Sequence, residues 1–348
     1  MNNAARYAYL DTRISLFASR LLEDTDIERL IASDTPDQDN WIGLGEAIGM
    51  DGEGIDGIDR HLMPDLLCEL GIILRSVYQE QRDLLRFWAI RFEIANLKVL
   101  LRGKIAGNDY ATLKSQLVDL GPFGRVNMEP LLLSTDTPEL LRLLEHSAYS
   151  TLAREIRRGL SQQQERLNID ATIDRHYFSG LARRARSAGH EAQSLIGSMI
   201  DRVNLVWLLR YRFSYDLPPA QAYYLLIPAG YRLTRDRLLE LSRLEHMAEV
   251  LEALPEPFLG MLEGVRTISE ITRRLEYHTW NTALRILRGR RFNPVRALAY
   301  MILRERDLRR VRAIVRGRHL GMDADLLRMA TGLLDVDGMT GNDEVAVA

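Results

Sequence analysis

A segment of twelve residues recurs three times along this chain, and the recurrence limits the fold more than any other feature. The copies are Glu93-Ile-Ala-Asn96-Leu-Lys-Val-Leu-Leu101-Arg102-Gly-Lys104, Asp201-Arg-Val-Asn204-Leu-Val-Trp-Leu-Leu209-Arg210-Tyr-Arg212 and Asp307-Leu-Arg-Arg310-Val-Arg-Ala-Ile-Val315-Arg316-Gly-Arg318. Each has an acidic residue, a polar residue three on, two apolar pairs and a basic end, and successive copies lie 108 and 106 residues apart. A second landmark joins an arginine and an aliphatic residue to a double leucine: Arg13-Ile14 with Leu21-Leu22, Arg125-Val126 with Leu131-Leu132, and Arg232-Leu233 with Leu238-Leu239. From each of these arginines to the acid of the first landmark is 80, 76 and 75 residues, so the separation holds within five. A third, Ile58-Asp59-Arg60-His61, is echoed once as Ile173-Asp174-Arg175-His176. Self-similarity on this scale marks a repeat architecture.

Gly and Pro punctuate equivalent places in Leu120-Gly121-Pro122-Phe123 and Leu226-Ile227-Pro228-Ala229-Gly230. The expected division is repeat 1 at 1–123, repeat 2 at 124–229, repeat 3 at 230–333, and a flexible polar tail at 334–348. Repeat 1 is longer because it holds the Gly-rich acidic stretch Gly43 to Gly57.

Helical periodicity fills the repeats. Tyr7, Leu10, Ile14, Phe17 and Leu21 fall on one stripe of a helix. A longer helix is expected from about Pro64 to Arg102, with Ile73, Val77, Leu84 and Trp88 recurring at near-helical intervals. Asn293-Pro294 reads as the start of a helix running to about Val315, and Asp323 as the cap of the next. No segment alternates apolar and polar residues between hairpin turns, so the expected class is all-α. Three such repeats form either an open solenoid or a closed arrangement about a pseudo-threefold axis.

Composition narrows the chemistry. With 348 residues the chain is long enough for a substantial core, and its formal charge of −2 excludes a globally basic nucleic-acid binder. The single cysteine, Cys68, excludes an internal disulfide framework and any multi-cysteine metal site, and a small packing role is expected for it. No apolar run reaches the length of a membrane span, and the N-terminal residues are charged where a signal peptide is apolar, so neither export nor membrane spanning is expected. Only three of the 46 basic residues are lysines. That preference reads as a codon bias of the source.

Motifs for catalysis are missing. No Gly-x-x-x-x-Gly-Lys-Ser/Thr occurs, and Gly43-Leu-Gly45-Glu-Ala-Ile-Gly49 has the wrong gap for a dinucleotide loop. Asp51-Gly-Glu53-Gly-Ile-Asp56 places Ile55 where a calcium loop needs an oxygen ligand. The seven histidines never pair as His-x-x-x-His. No catalytic residue, cofactor or metal is therefore expected.

The repeated segment supplies the candidate binding residues: Glu93, Asn96 and Lys104; Asp201, Asn204 and Arg212; Asp307, Arg310 and Arg318. On a helix the acid, the polar residue and the terminal base share one face, about 16 Å from end to end, so acid and base cannot pair with each other. They either anchor each repeat to its neighbour or meet a partner protein. A site present three times is a poor candidate for catalysis, which needs one asymmetric constellation.

Charge is segregated along the chain. From Glu23 to Arg60 there are 12 acids and two arginines, and from Arg285 to Arg318 there are 12 arginines and two acids. Either these are solvated helix faces or they are opposing patches that steer charged partners. Only Phe292 and Tyr300 interleave the basic stretch, too few aromatics for a nucleic-acid stacking platform.

These landmarks resemble a known family. Arg6-Tyr7-Ala8-Tyr9-Leu10-Asp11-Thr12-Arg13-Ile14 is similar to the opening of the C subunit of the archaeal and bacterial A/V-type ATPases, known as the d subunit in the eukaryotic vacuolar enzyme. So are Asn96-Leu97-Lys98-Val99-Leu100-Leu101-Arg102-Gly103-Lys104, the Leu226-to-Tyr231 turn, and Glu305-Arg306-Asp307 leading to Arg312-Ala313-Ile314-Val315-Arg316-Gly317-Arg318-His319-Leu320-Gly321. The resemblance spans roughly residues 6 to 330. Departures are Arg310 where the other copies carry Asn, Ala229 where glycine is common, and the Gly43–Gly57 insert.

The resemblance implies a funnel of three helical repeats about a pseudo-threefold axis. It implies a non-catalytic rotor adapter, peripheral on the cytoplasmic face of the membrane. The partners it implies are central-stalk subunits and the membrane proteolipid ring, with no nucleic acid and no small-molecule substrate. An unrelated helical-repeat scaffold that binds another protein explains the periodicity equally well.

Overall fold

The structure is a computed structural model that describes residues 3–33, 58–161, 166–289 and 293–333. Among these every regular element is helical, so the all-α expectation holds. The Gly43–Gly57 insert and the 334–348 tail lie outside the described residues. The chain divides into two compact units, Tyr78–Thr279 and a second built from both chain ends, Met1–Val77 with Trp280–Ala348.

The unit of chain ends contains α1 (Asn3–Ala18), α2 (Asp24–Ala32) and α3 (Ile58–Leu74) from the N-terminal side. The other unit begins with α4 (Gln79–Ala106), α5 (Tyr110–Ser115), α6 (Met128–Leu133), α7 (Thr137–Glu145) and α8 (Ser150–Ser161). It continues through α9 (Arg166–Ser187), α10 (His190–Leu209), α11 (Pro219–Leu225), α12 (Arg235–Ser242), α13 (Met247–Glu252) and α14 (Phe258–Met261). The division passes through α15 (Ile268–Arg288), after which α16 (Val295–His319) and α17 (Ala324–Thr331) complete the first unit.

In the unit of chain ends, α16 is the axis. Val295 and the seven residues from Ala297 to Leu303 are all buried, which a helix achieves only when neighbours cover it on every side. Those neighbours include α1, α3, α2 and α17. Leu10, Ile14 and Phe17 form the buried stripe of α1, and Phe17 stacks on Tyr300 at 5.7 Å between ring centroids. Leu21 lies beyond the end of α1 and is half-buried. In the other unit α4 plays the axial part and packs along α9, which packs in turn on α10. The Phe87 and Tyr177 rings stack at 5.9 Å across the α4–α9 contact. A second apolar cluster joins Leu205, Leu208 and Leu209 of α10 to Leu238 and Leu241 of α12 and to Ile271 and Leu275 of α15.

Two expectations need correction. The single helix from Pro64 to Arg102 is two helices, α3 and α4, separated by Arg75–Tyr78. The Ser76 N–H bonds back to the Ile73 carbonyl at 2.9 Å and Tyr78 is extended, so the chain turns without a Gly or Pro to announce it. Val77 is buried at the turn, which is why the apolar spacing runs on across it. Cys68 is exposed, because the packed side of α3 is taken by Leu66, Leu67, Leu70 and Ile73.

Of the C-terminal cues, Asp323 is as read, whereas Asn293 as cap with Pro294 in the first turn is one residue early, since Pro294 is the N-cap and α16 begins at Val295. Asn293 Oδ1 accepts from the Val295 N–H at 3.0 Å at the start of α16, which extends past Val315 to His319. The Asp323 carboxylate accepts from the Leu326 N–H at 2.8 Å and caps α17. Asp323→Ala is expected to lower the unfolding free energy by about 1 kcal/mol, with Asp323→Asn nearly neutral, as read from urea melts.

Candidate functional site: three backbone clamps

Glu93, Asp201 and Asp307 are each 0 % exposed, and Asn96 and Asn204 are buried beside them. None of the three acids faces solvent. Each holds one or more backbone amides of a segment distant in sequence, and the basic residue eleven on holds that segment's carbonyls.

In the first clamp, Glu93 Oε1 accepts from the N–H groups of Arg125 at 2.6 Å and Val126 at 2.9 Å. Its Oε2 accepts from the Tyr149 hydroxyl, and burial together with the adjacent Glu93 pushes that phenol well above its ordinary range. Lys104 Nζ donates to the carbonyls of Leu132 at 2.7 Å and Ser134 at 2.6 Å. Between these two grips lies α6. In the second clamp, Asp201 accepts from the N–H groups of Tyr231 at 2.8 Å, Arg232 at 2.7 Å and Leu233 at 3.2 Å. Arg212 donates to the carbonyls of Ser242 at 2.8 Å, Leu244 at 3.2 Å and Leu217 at 2.9 Å, so it closes on the far end of α12.

The third clamp uses the other end of the chain. Asp307 Oδ2 accepts from the Leu22 N–H at 2.9 Å, its Oδ1 accepts from Arg306 at 2.8 and 3.0 Å, and Arg318 donates to the carbonyls of Leu30 and Ser33. The captured helix is α2.

The eleven-residue spacing now has a cause. Acid and base stand about 16 Å apart along their helix. Short helices of 6, 8 and 9 residues, α6, α12 and α2, span about 9 to 14 Å, and their flanking turns supply the remainder. Carboxylate meets unpaired amides near the short helix's start, and cation meets unpaired carbonyls at its end. That is the polarity the helix dipole favours.

The polar residue three after each acid ties down the returning chain. Asn96 donates to the Val118 carbonyl at 2.8 Å and accepts from the Val118 N–H at 3.0 Å. Asn204 makes the same pair with Ile227, at 3.0 and 2.8 Å. Arg310 keeps the carbonyl half, donating to Thr331 at 3.0 Å, and directs a second nitrogen to Asp24 at 2.9 Å. Its departure from Asn thus adds a tie to α2. The glycine before the base is also positional: a Cβ on Gly103 would lie 2.1 Å from Leu113 Cδ2, and one on Gly317 2.3 Å from Leu327 Cδ2. The second copy carries Tyr211 there, and its helix widens into a π turn over Arg210–Ser214.

Sequence reasoning misses the captured segments in part. Arg125-Val126 and Arg232-Leu233 do sit at the held turns, but Arg13-Ile14 lies within α1, and the held residue of that copy is Leu22. The charge segregation is partly resolved inside the fold: Asp24 pairs with Arg310 and Glu28 with Arg328 at 3.0 Å.

Burial pushes the Asp201 carboxyl up to about 6, against the downward pull of the amides of Arg232, Tyr231 and Leu233. Burial also raises Asp307, with Arg306 opposing. Among the described residues no group of His, Cys, Asp and Glu is placed to hold a metal, and no helix is long and apolar enough to cross a membrane.

The model of the ATP synthase (C/AC39) subunit family matches residues 10–329, from within α1 to within α17, and so takes in all three clamps. The chain belongs to that family. It is 22 % identical over 337 residues to the C subunit of the A-type ATP synthase of Methanosarcina mazei, covering 93 % of this chain and 92 % of that one. The corresponding C subunit of Methanocaldococcus jannaschii is 22 % identical over 338 residues, covering 90 % and 83 %. That of Halorubrum lacusprofundi is 24 % identical over 292 residues, covering 80 % and 82 %. The resemblance drawn from the sequence landmarks is borne out.

The raised Asp201 carboxyl makes stability depend on pH. Between the unfolded value near 4 and the folded value near 6 the folded state binds more protons, so stability falls as pH rises through this window, by about 3 kcal/mol at most. Asp201→Asn removes that part of the slope. Urea melts of both proteins from pH 4 to 7 measure it, and parallel curves would show that Asp201 does not titrate there.

Proposed function

We propose that this chain is a non-catalytic rotor adapter of an A/V-type ATPase. In this reading it links the central stalk to the membrane proteolipid ring and transmits torque between ATP hydrolysis or synthesis and ion translocation. The observation that carries the reading is the family match over residues 10–329, with relatives named as C subunits of A-type ATP synthases aligned over most of their length. The protein would sit peripherally on the cytoplasmic face of the membrane.

The clamps supply a physical reason why such a part works. Torque transmission requires that segments far apart in sequence move as one body, and close-packed helices resist strain. Buried carboxylates and cations that pin backbone groups add directional ties which side-chain repacking alone cannot replace. We further propose three repeats, 1–123, 124–229 and 230–333, about a pseudo-threefold axis as a funnel. The nine clamp residues would serve partner binding by fixing the turns they hold. Arg125 and Arg232 lie on two of those turns with their amides pinned, the Arg125 guanidinium over the Tyr149 ring and Arg232 donating to the Glu256 carbonyl at 3.1 Å, and both residues are exposed.

Extraction of the tagged protein from its native membranes in mild detergent, with mass spectrometry of what accompanies it, tests the adapter reading. Recovery of a proteolipid and central-stalk subunits in near-stoichiometric yield is expected. Recovery of the protein alone would favour a helical scaffold for another partner. Charge reversal at Glu93, Asp201 or Asp307 is expected to lower both the melting temperature and that recovery, because it buries a cation against amide donors. Intact folding and assembly in all three would remove the clamps from the mechanism.

A further inference from the structure

We propose that the segment Leu22–Ser33, carrying α2, is a strap that opens independently of α16 and whose polar latch is chiefly a row of arginines. The three clamps are chemically unequal, and the inequality is concentrated here. In the first two, the held turn follows its own helix closely: Arg125 comes 32 residues after Glu93 and Tyr231 30 after Asp201, with one short α-helix between. In the third, 285 residues separate Leu22 from Asp307, so no local hairpin returns the strap to its clamp once it has left.

The backbone grip is also smallest there. Glu93 holds two amides and Asp201 three, whereas Asp307 holds only that of Leu22 and shares its charge with Arg306. The Glu23 N–H is satisfied within the strap by Asp26. What replaces the missing amide bonds is a row of arginines: Arg306 on the Leu22 carbonyl, Arg310 on Asp24, Arg318 on the Leu30 and Ser33 carbonyls, and Arg328 on Glu28. The acids in this row face water, with the Asp24 side chain 73 % and that of Glu28 44 % exposed. Ion pairs so placed are screened by salt, unlike the buried carboxylate–amide bonds of the other two clamps.

The elements on either side have further attachments of their own. α1 has its own attachments to α16 through the Phe17–Tyr300 stack and the Arg296–Asp11 ion pair. α17 is tied back by Arg310 to Thr331 and by Leu327 against Gly317. The apolar side of the strap is Leu22, Ile27 and Ile31, all buried, and this face returns the strap to the groove while the arginines set how readily its polar edge lets go. Opening would strip Arg318 of both carbonyls and remove Asp24 from Arg310 and Glu28 from Arg328, leaving these two arginines on Thr331 and Asp325, and so make the groove more basic.

Amide hydrogen exchange of the full chain, read at the three equivalent short helices, tests this. At low salt the amides of α2 are expected to exchange at least about tenfold faster than those of α6 and α12, while those of α16 stay protected. Raising the salt from about 0.05 to 0.5 M is expected to widen that ratio by about threefold. Arg318→Met, which keeps the stem and loses both carbonyl bonds, is expected to speed α2 without affecting α16. Exchange of α2 at the rate of α6 and α12, or in step with α16, overturns the strap. Faster exchange that ignores both salt and Arg318→Met overturns the arginine latch.

Discussion

A buried carboxylate that accepts hydrogen bonds from unpaired backbone amides is the interaction on which this structure turns. A carboxylate removed from water is costly unless nearly all its lone pairs are engaged. Asp201 offsets part of that cost with three amides, the rest showing in its raised carboxyl, and Glu93 engages two amides and a phenol. The acid therefore specifies a particular turn rather than a general apolar surface. Everything else in the twelve-residue segment follows from that grip: the polar residue one turn later ties the returning chain, and the base a further two turns on closes the far end of the captured helix.

Seen this way, the repeating element is a relation between a long helix and a short one supplied from elsewhere. The short helix belongs to the following stretch of chain in two cases and to the opposite end of the chain in the third. A division of the sequence into successive blocks cuts through each of these relations. The last one lies within the compact unit that joins Met1–Val77 to Trp280–Ala348.

Much of this is legible in the sequence, and the illegible remainder has physical causes. The helical class and the three segments can be read because side chains at fixed spacing carry them. The objects they hold cannot, because a backbone amide has no sequence signature. Leu22 looks like any other leucine, and the sequence landmark accordingly places the register of the first copy at Arg13. The turn at Arg75–Tyr78 is invisible because it uses no glycine or proline and keeps its apolar phase through Val77. The exposure of Cys68 depends on which side of α3 faces α16, and a helix rich in leucine on several faces leaves that open. Arg310, by contrast, stands out in the sequence as a departure from Asn, and only the structure supplies the reason, its second bond to Asp24.

The meeting of the two chain ends in the third clamp also sets an order of events during synthesis. Leu22 leaves the ribosome long before Arg318 has been added, and at ordinary translation rates of about 5 to 20 residues per second the interval is on the order of 15 to 60 s. Through that interval the small apolar face of Leu22, Ile27 and Ile31 has no groove to enter. Glu23, Asp24, Asp26 and Glu28 surround it with like charge, which keeps a waiting segment from associating with its neighbours. The acids that later engage arginines thus serve first as gatekeepers of the nascent chain.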